Sequence, residues 1–95
     1  MTEREIKIED WLTAAVEALG GLCIKIAPLS FVGLPDRLIL LPGGRIGFLE
    51  LKRPGKEPTA VQAYWIDRLQ VMGFTADWAD SRDDCMKFLE RGMTA

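Results

Sequence analysis

The tripeptide Pro42-Gly43-Gly44, set between the apolar runs 37–41 and 45–52, constrains the folding of this chain more than any other feature. Proline presets φ and the two glycines tolerate positive φ, so a tight reversal is expected and the flanking runs should pair as a β-hairpin. Side chains alternate faces along a strand, which makes loop length decide which residues meet. With a three-residue loop, Leu41 opposes Arg45 and the antiparallel register brings Asp36 opposite Glu50. With a two-residue loop, Asp36 would lie across from Leu51 and the two carboxylates would part.

The other elements follow from periodicity and caps. Thr2 and Glu5 fit a capping box, and Ile8, Leu12, Ala15, Val16 and Leu19 recur at helical spacing, predicting a helix over 3–19 closed by Gly20-Gly21. Leu22, Ile24 and Ile26 alternate with Cys23, Lys25 and Ala27 in a strand that ends near Pro28. Residues 29–35 and 54–58 read as loops. Between 59 and 72, Val61, Trp65, Leu69 and Met72 share one helical face before Gly73. Residues 74–79 form a strand, and Ser81 with Asp84 opens a last helix ending near Gly92. The order αβββαβα, with no repeat or linker, predicts one α/β domain over 1–95, a small mixed sheet flanked by helices.

Composition narrows the chemistry. A chain of 95 residues, 48% hydrophobic and 27% charged, suits a folded globular domain. No apolar run approaches a membrane span and the charged start is unlike a secretory signal, so a cytoplasmic protein is expected. With no histidine and only Cys23 and Cys85, His/Cys zinc sites and His-dependent nucleophilic catalysis are excluded. The cysteines read as reduced fillers. Although the formal net charge is −2, Arg37, Arg45, Lys52, Arg53 and Lys56 outnumber Asp36 and Glu50 around the hairpin, while the last part of the chain is acidic. One basic face is the expectation.

Glu50 and Lys52 share a strand face with Ile46 and Phe48, unexpected company for two charged side chains. Directly opposed residues such as Asp36 and Glu50 have Cβ atoms about 4.5 to 5.5 Å apart, close enough to reach one cation. Two carboxylates repel unless protonated or neutralised, and oxygen ligands favour Mg²⁺ or Mn²⁺. Such an ion can polarise a phosphoryl oxygen and acidify water, and Lys52 could orient that water or offset developing charge. The chemistry expected is metal-dependent phosphodiester hydrolysis.

Pro35-Asp36 followed by Glu50-Leu51-Lys52 resembles the signature of the PD-(D/E)XK nuclease superfamily. More closely, Gly33-Leu34-Pro35-Asp36-Arg37, Pro42-Gly43-Gly44-Arg45, Glu50-Leu51-Lys52-Arg53-Pro54-Gly55 and Gln62 are similar to stand-alone VRR-NUC (virus-type replication-repair nuclease) domains, a likeness running from Glu9 to about Asp80. The resemblance implies a restriction-endonuclease-like core in which Asp36, Glu50 and the Leu51 backbone carbonyl bind metal and Lys52 acts on water. It further implies a contribution from an acidic residue of the first helix, Glu9 before Glu5, and a place for Gln62 beside the site. It also implies a homodimer acting on branched DNA such as Holliday junctions, in a bacterial or phage-infected cell.

Blander readings attach to each residue. Asp36 could be a turn residue after Pro35, Glu50 and Lys52 a solvated cross-strand pair, and Glu9 and Gln62 ordinary helix surface. Lys25, Arg37, Arg45, Arg53 and Lys56 are candidate phosphate contacts, Arg53 and Lys56 first, yet such charges often only solubilise. Trp11, Trp65 and Trp78 fit core or dimer-interface positions better than base stacking. The rival functions are a non-catalytic nucleic-acid-binding module and a protein-interaction domain with the same fold.

Overall fold

The computed structural model describes residues 3–26, 31–91 and 93, with side chains of the first helix described from Lys7 onward. Its elements are α1 (Glu3–Ala18), β1 (Leu22–Lys25), β2 (Arg37–Leu41), β3 (Arg45–Leu51), α2 (Ala60–Val71), β4 (Thr75–Ala79) and α3 (Arg82–Glu90). This is the expected αβββαβα order. The capping pair expected at Thr2 and Glu5 lies outside the described side chains.

The strands form one mixed sheet in the order β1-β2-β3-β4. The first two pairings are antiparallel, and β3 runs parallel to β4. A parallel pair needs a crossover, which α2 supplies. In the β2–β3 hairpin Leu41 pairs with Arg45 and Arg37 with Leu49, the register of a three-residue loop. Gly43 and Gly44, at φ 88° and 73°, make that loop possible. At the end of α1, Gly20 at φ 85° closes the helix. There Gly21 N–H donates to Val16 O and Gly20 N–H to Glu17 O, satisfying carbonyls the helix leaves open.

Each sheet face has its own core. On one, Leu12 and Val16 of α1 and Cys85, Phe88 and Leu89 of α3 pack on Ile39, Leu41, Leu49 and Ala79. On the other, Ile66 and Leu69 of α2 pack with Ala76, Phe48, Trp78 and Leu34. Ser81 caps α3 by accepting from Asp84 N–H at 3.1 Å, as expected. Cys85 is buried and Cys23 half-buried, both free thiols. Among the described residues no helix is long and apolar enough to cross a membrane.

One expectation needs correction. The buried residues of α2 are Ile66 and Leu69, whereas Val61 and Met72 are exposed. The Val61–Trp65 stripe meets the segment before β2 instead: Phe31 lies edge-on to Trp65 at 5.2 Å, and a Cβ on Gly33 would come within 2.9 Å of Val61. In β1, the apolar alternation points away from any helix. Leu22 and Ile24 are 59% and 41% exposed, while Cys23 packs on the core. Beside them Leu38, Leu40 and Ile46 are only half-buried, so this part of the sheet is an open apolar face.

Candidate active site

Asp36 lies one residue before β2 and Glu50 near the end of β3, so the β2–β3 register, extended by one pair, sets them opposite each other. The backbone holds the same arrangement: Leu51 N–H donates to Asp36 Oδ1 at 3.4 Å, and Asp36 O accepts from Ile26 N–H at 2.8 Å. In an antiparallel ladder a residue's N–H and C=O leave on the same side. The Leu51 carbonyl is thus directed toward Asp36, past the last paired residue of β2. Lys52 N–H turns the other way, to Ala79 O at 2.8 Å.

Glu50 is only 6% exposed. Its register partner on β4 is Trp78, and Phe48 precedes it on the same face, so the carboxyl stands among aromatic side chains. Burial first, then the neighbouring Asp36 charge, pushes Glu50 up to about 7, while Lys52 and Arg37 pull it down. Burial raises Asp36 too, opposed by its bond from Leu51 and by the charges of Lys25 and Lys52. Burial thus disfavours the ionised form of both carboxyls. Lys52, half-buried, is within electrostatic reach of both.

Arg37 is 4% exposed, on the α1 side of the sheet. Its guanidinium pairs with Glu9 of α1 and donates to Asp36 Oδ2 at 2.7 Å. This corrects the expectation that Arg37 contacts nucleic acid: a buried guanidinium engaged by two carboxylates is not presented to a phosphate. Glu9 reaches the site at one remove, through Arg37. Among the described residues no three acidic side chains converge as for a single ion. Glu5, the alternative on the same helix, has no described side chain.

The other candidates separate by position. Gln62 Oε1 accepts from Thr59 N–H at 2.8 Å and Thr59 Oγ1 from Gln62 N–H at 3.3 Å, a complete capping box for α2. That role was readable as Thr-x-x-Gln. Arg53 and Lys56 are exposed and, with Leu51, Lys52, Glu57 and Thr59, line an open cavity of about 330 Å³ beside Lys52. Lys25, exposed on β1, pairs in register with Arg37 at the same end of the sheet. Arg45 sits at the hairpin turn, its Nε donating to Pro42 O at 3.0 Å. Five residues of strand, roughly 17 Å, separate it from Glu50, which removes it from the site. Trp78 beside Glu50 was not singled out for the site, because parallel neighbours far apart in sequence carry no local signal.

No family model matches the chain. It is 40% identical over 80 residues to "Putative nuclease p44" of Acyrthosiphon pisum secondary endosymbiont phage 1, covering 84% of this chain and 86% of that protein. A solved structure described as a VRR_NUC domain matches 96% of this chain and 99% of its own length, at a TM-score of 0.86 and 28% identity. Fold and relatives together define a nuclease. The chain belongs to the VRR-NUC family, in its small phage type.

Proposed function

We propose that this nuclease is a Mg²⁺- or Mn²⁺-dependent endonuclease hydrolysing phosphodiester bonds in DNA. The observation that carries the reading is the opposed pair Asp36 and Glu50, both raised in pKa by burial and Glu50 raised further by Asp36. Such a pair fits a hard divalent cation, which relieves the repulsion and uses only oxygen ligands. Asp36, Glu50 and the Leu51 carbonyl would hold it. When bound, the ion polarises the scissile phosphoryl group and lowers the pKa of water.

The chain's own residues do the rest. Lys52, one step beyond Glu50 on the same face, offsets the negative charge that gathers on the phosphoryl oxygens as water adds and the ester P–O bond breaks. Lys25, Arg53 and Lys56 bracket the site and contact backbone phosphates. Gln62 offers its amide nitrogen, since its oxygen is held by the cap.

The substrate proposed is branched or structured DNA such as a Holliday junction, cut by a homodimer in the cytoplasm of a bacterial or phage-infected cell. The open apolar face of Leu22, Ile24, Leu38, Leu40 and Ile46 supports pairing, because exposed contiguous apolar surface marks interfaces. Two copies would present two sites to paired strands.

Cleavage of a labelled four-way junction, a duplex and a single strand tests the reading, using wild type and Lys52→Ala with Mn²⁺, Mg²⁺ or EDTA. Metal-dependent cutting of the junction, reduced on the order of 10²- to 10⁴-fold in the variant, is expected. Folded wild-type protein that cuts none of the three would overturn it.

A further inference from the structure

We propose that Arg37 is a built-in cation that takes Glu9 out of the metal site and limits the DNA-free protein to one divalent ion per chain. The inference rests on the metal-dependent reading above and deepens it by assigning ion number to a residue.

The argument begins with placement. Arg37 shares its sheet face with Ile39, Leu41 and Leu49, all buried and apolar, and Leu49 is its register partner. A guanidinium in such surroundings requires carboxylate partners, since arginine stays charged and an unpaired buried charge is strongly disfavoured. Glu9 and Asp36 are those partners, with side-chain exposures of 20% and 29% against 5% for Arg37. Glu9 and Asp36 thus come from different elements and are joined by the same guanidinium.

Charge then decides occupancy. Glu9, Asp36 and Glu50 carry three negative charges when ionised, and Arg37 removes one. One divalent ion balances the remaining two. Lys52 also lies within reach of Asp36 and Glu50, so a single ion already carries the cluster past neutrality. A second ion would need Glu9 as a ligand, yet Glu9 faces Arg37, and it would add positive charge beside a guanidinium in a poorly solvated site. The absence of any three-acid grouping among the described residues agrees with this. Arg37 is accordingly a positioning residue: it touches Asp36 and Glu9 and sets how many carboxylates are open to metal.

Mn²⁺ stoichiometry on the DNA-free, full-length protein tests this, measured by calorimetric titration and by electron paramagnetic resonance. Wild type should bind one ion per chain. Glu9→Gln should also bind one, more weakly because the Arg37 charge then bears on Asp36 alone. Arg37→Met should acquire a second ion, lost again in the double variant Arg37→Met/Glu9→Gln, and Arg37→Lys, which keeps the charge, should stay at one. Two ions on wild type, no ion on a folded Glu9→Gln, or a folded Arg37→Met still at one ion would overturn the proposal while leaving metal dependence intact. If Arg37→Met does not fold, wild type and Glu9→Gln decide. No Mn²⁺ on wild type at all would instead remove the metal-dependent reading, and this inference with it.

Discussion

Glu50 and Trp78 are register partners across the parallel β3–β4 pair, on the sheet face that α2 covers. Neighbouring strands lie about 4.8 Å apart, so the indole forms a wall of the carboxyl's surroundings. Trp78 also packs with Ile66, Leu69 and Ala76, which fixes the wall in place.

Trp78→Ala is therefore expected to admit water to Glu50 and lower its titration midpoint from about 7 toward the ordinary 4.5. Carboxyl-resolved NMR of ¹³C-labelled glutamate reads this directly. The same substitution should cost about 3 kcal/mol in urea unfolding, as for other large aromatic truncations. A midpoint unmoved by the variant would assign Glu50's environment to other neighbours.

The raised Glu50 midpoint also sets a pH dependence. Between about 4.5 and about 7 the folded protein keeps a proton that the unfolded chain has released. Stability of the metal-free protein therefore falls as pH rises through that window, by on the order of 3 kcal/mol from this group. Asp36, also raised, adds in the same direction. On the proposed function Mn²⁺ would bind the ionised carboxylates, so its stabilising effect should grow over the same interval. Urea melts from pH 4.5 to 8, with and without Mn²⁺, check both slopes; Glu50→Gln should flatten them.

Thr59→Ala and Gln62→Ala each remove half of the α2 capping box and should lower stability by about 1 kcal/mol. Cleavage at a temperature where both remain folded should fall further in Gln62→Ala, which alone loses the side-chain amide nitrogen. Equal rates would leave Gln62 a capping residue and nothing more.

The open sheet face makes its own prediction. Leu22→Asp and Leu40→Asp place charge where two copies would meet, and light scattering should report a monomer for both variants and a dimer for wild type. Neither position lies in the buried core, so the melting temperature of the variants should drop only slightly. Monomeric wild type at micromolar concentration would remove the dimer from the proposed function.

The hairpin and its opposed carboxylates were legible in the sequence because turn length and the two-residue side-chain period are local properties. Arg37 was not, since a charged residue next to Asp36 reads as solvated until α1 is seen to cover that face. The α2 face was misphased for a similar reason: Val61 and Trp65 are apolar at the right spacing, but they serve Phe31 and Gly33 of a connecting segment rather than the sheet. Leu22 and Ile24 alternate like a half-buried strand, and alternation alone does not say whether anything lies on their side. Gln62 was a different case. Its capping pattern with Thr59 was present in four residues and needed no tertiary information.

The turn at Pro42-Gly43-Gly44 has a consequence for how this gene can vary. Surface loops ordinarily absorb insertions and deletions with little harm. Here the loop also counts residues between Asp36 and Glu50: if the turn kept three residues, deleting one would carry Leu51 to the place opposite Asp36, and adding one would carry Leu49 there. A lineage that keeps the pair must take up any such change within the turn itself, since a glycine that instead shifted the register would part the two carboxylates from the far end of the hairpin.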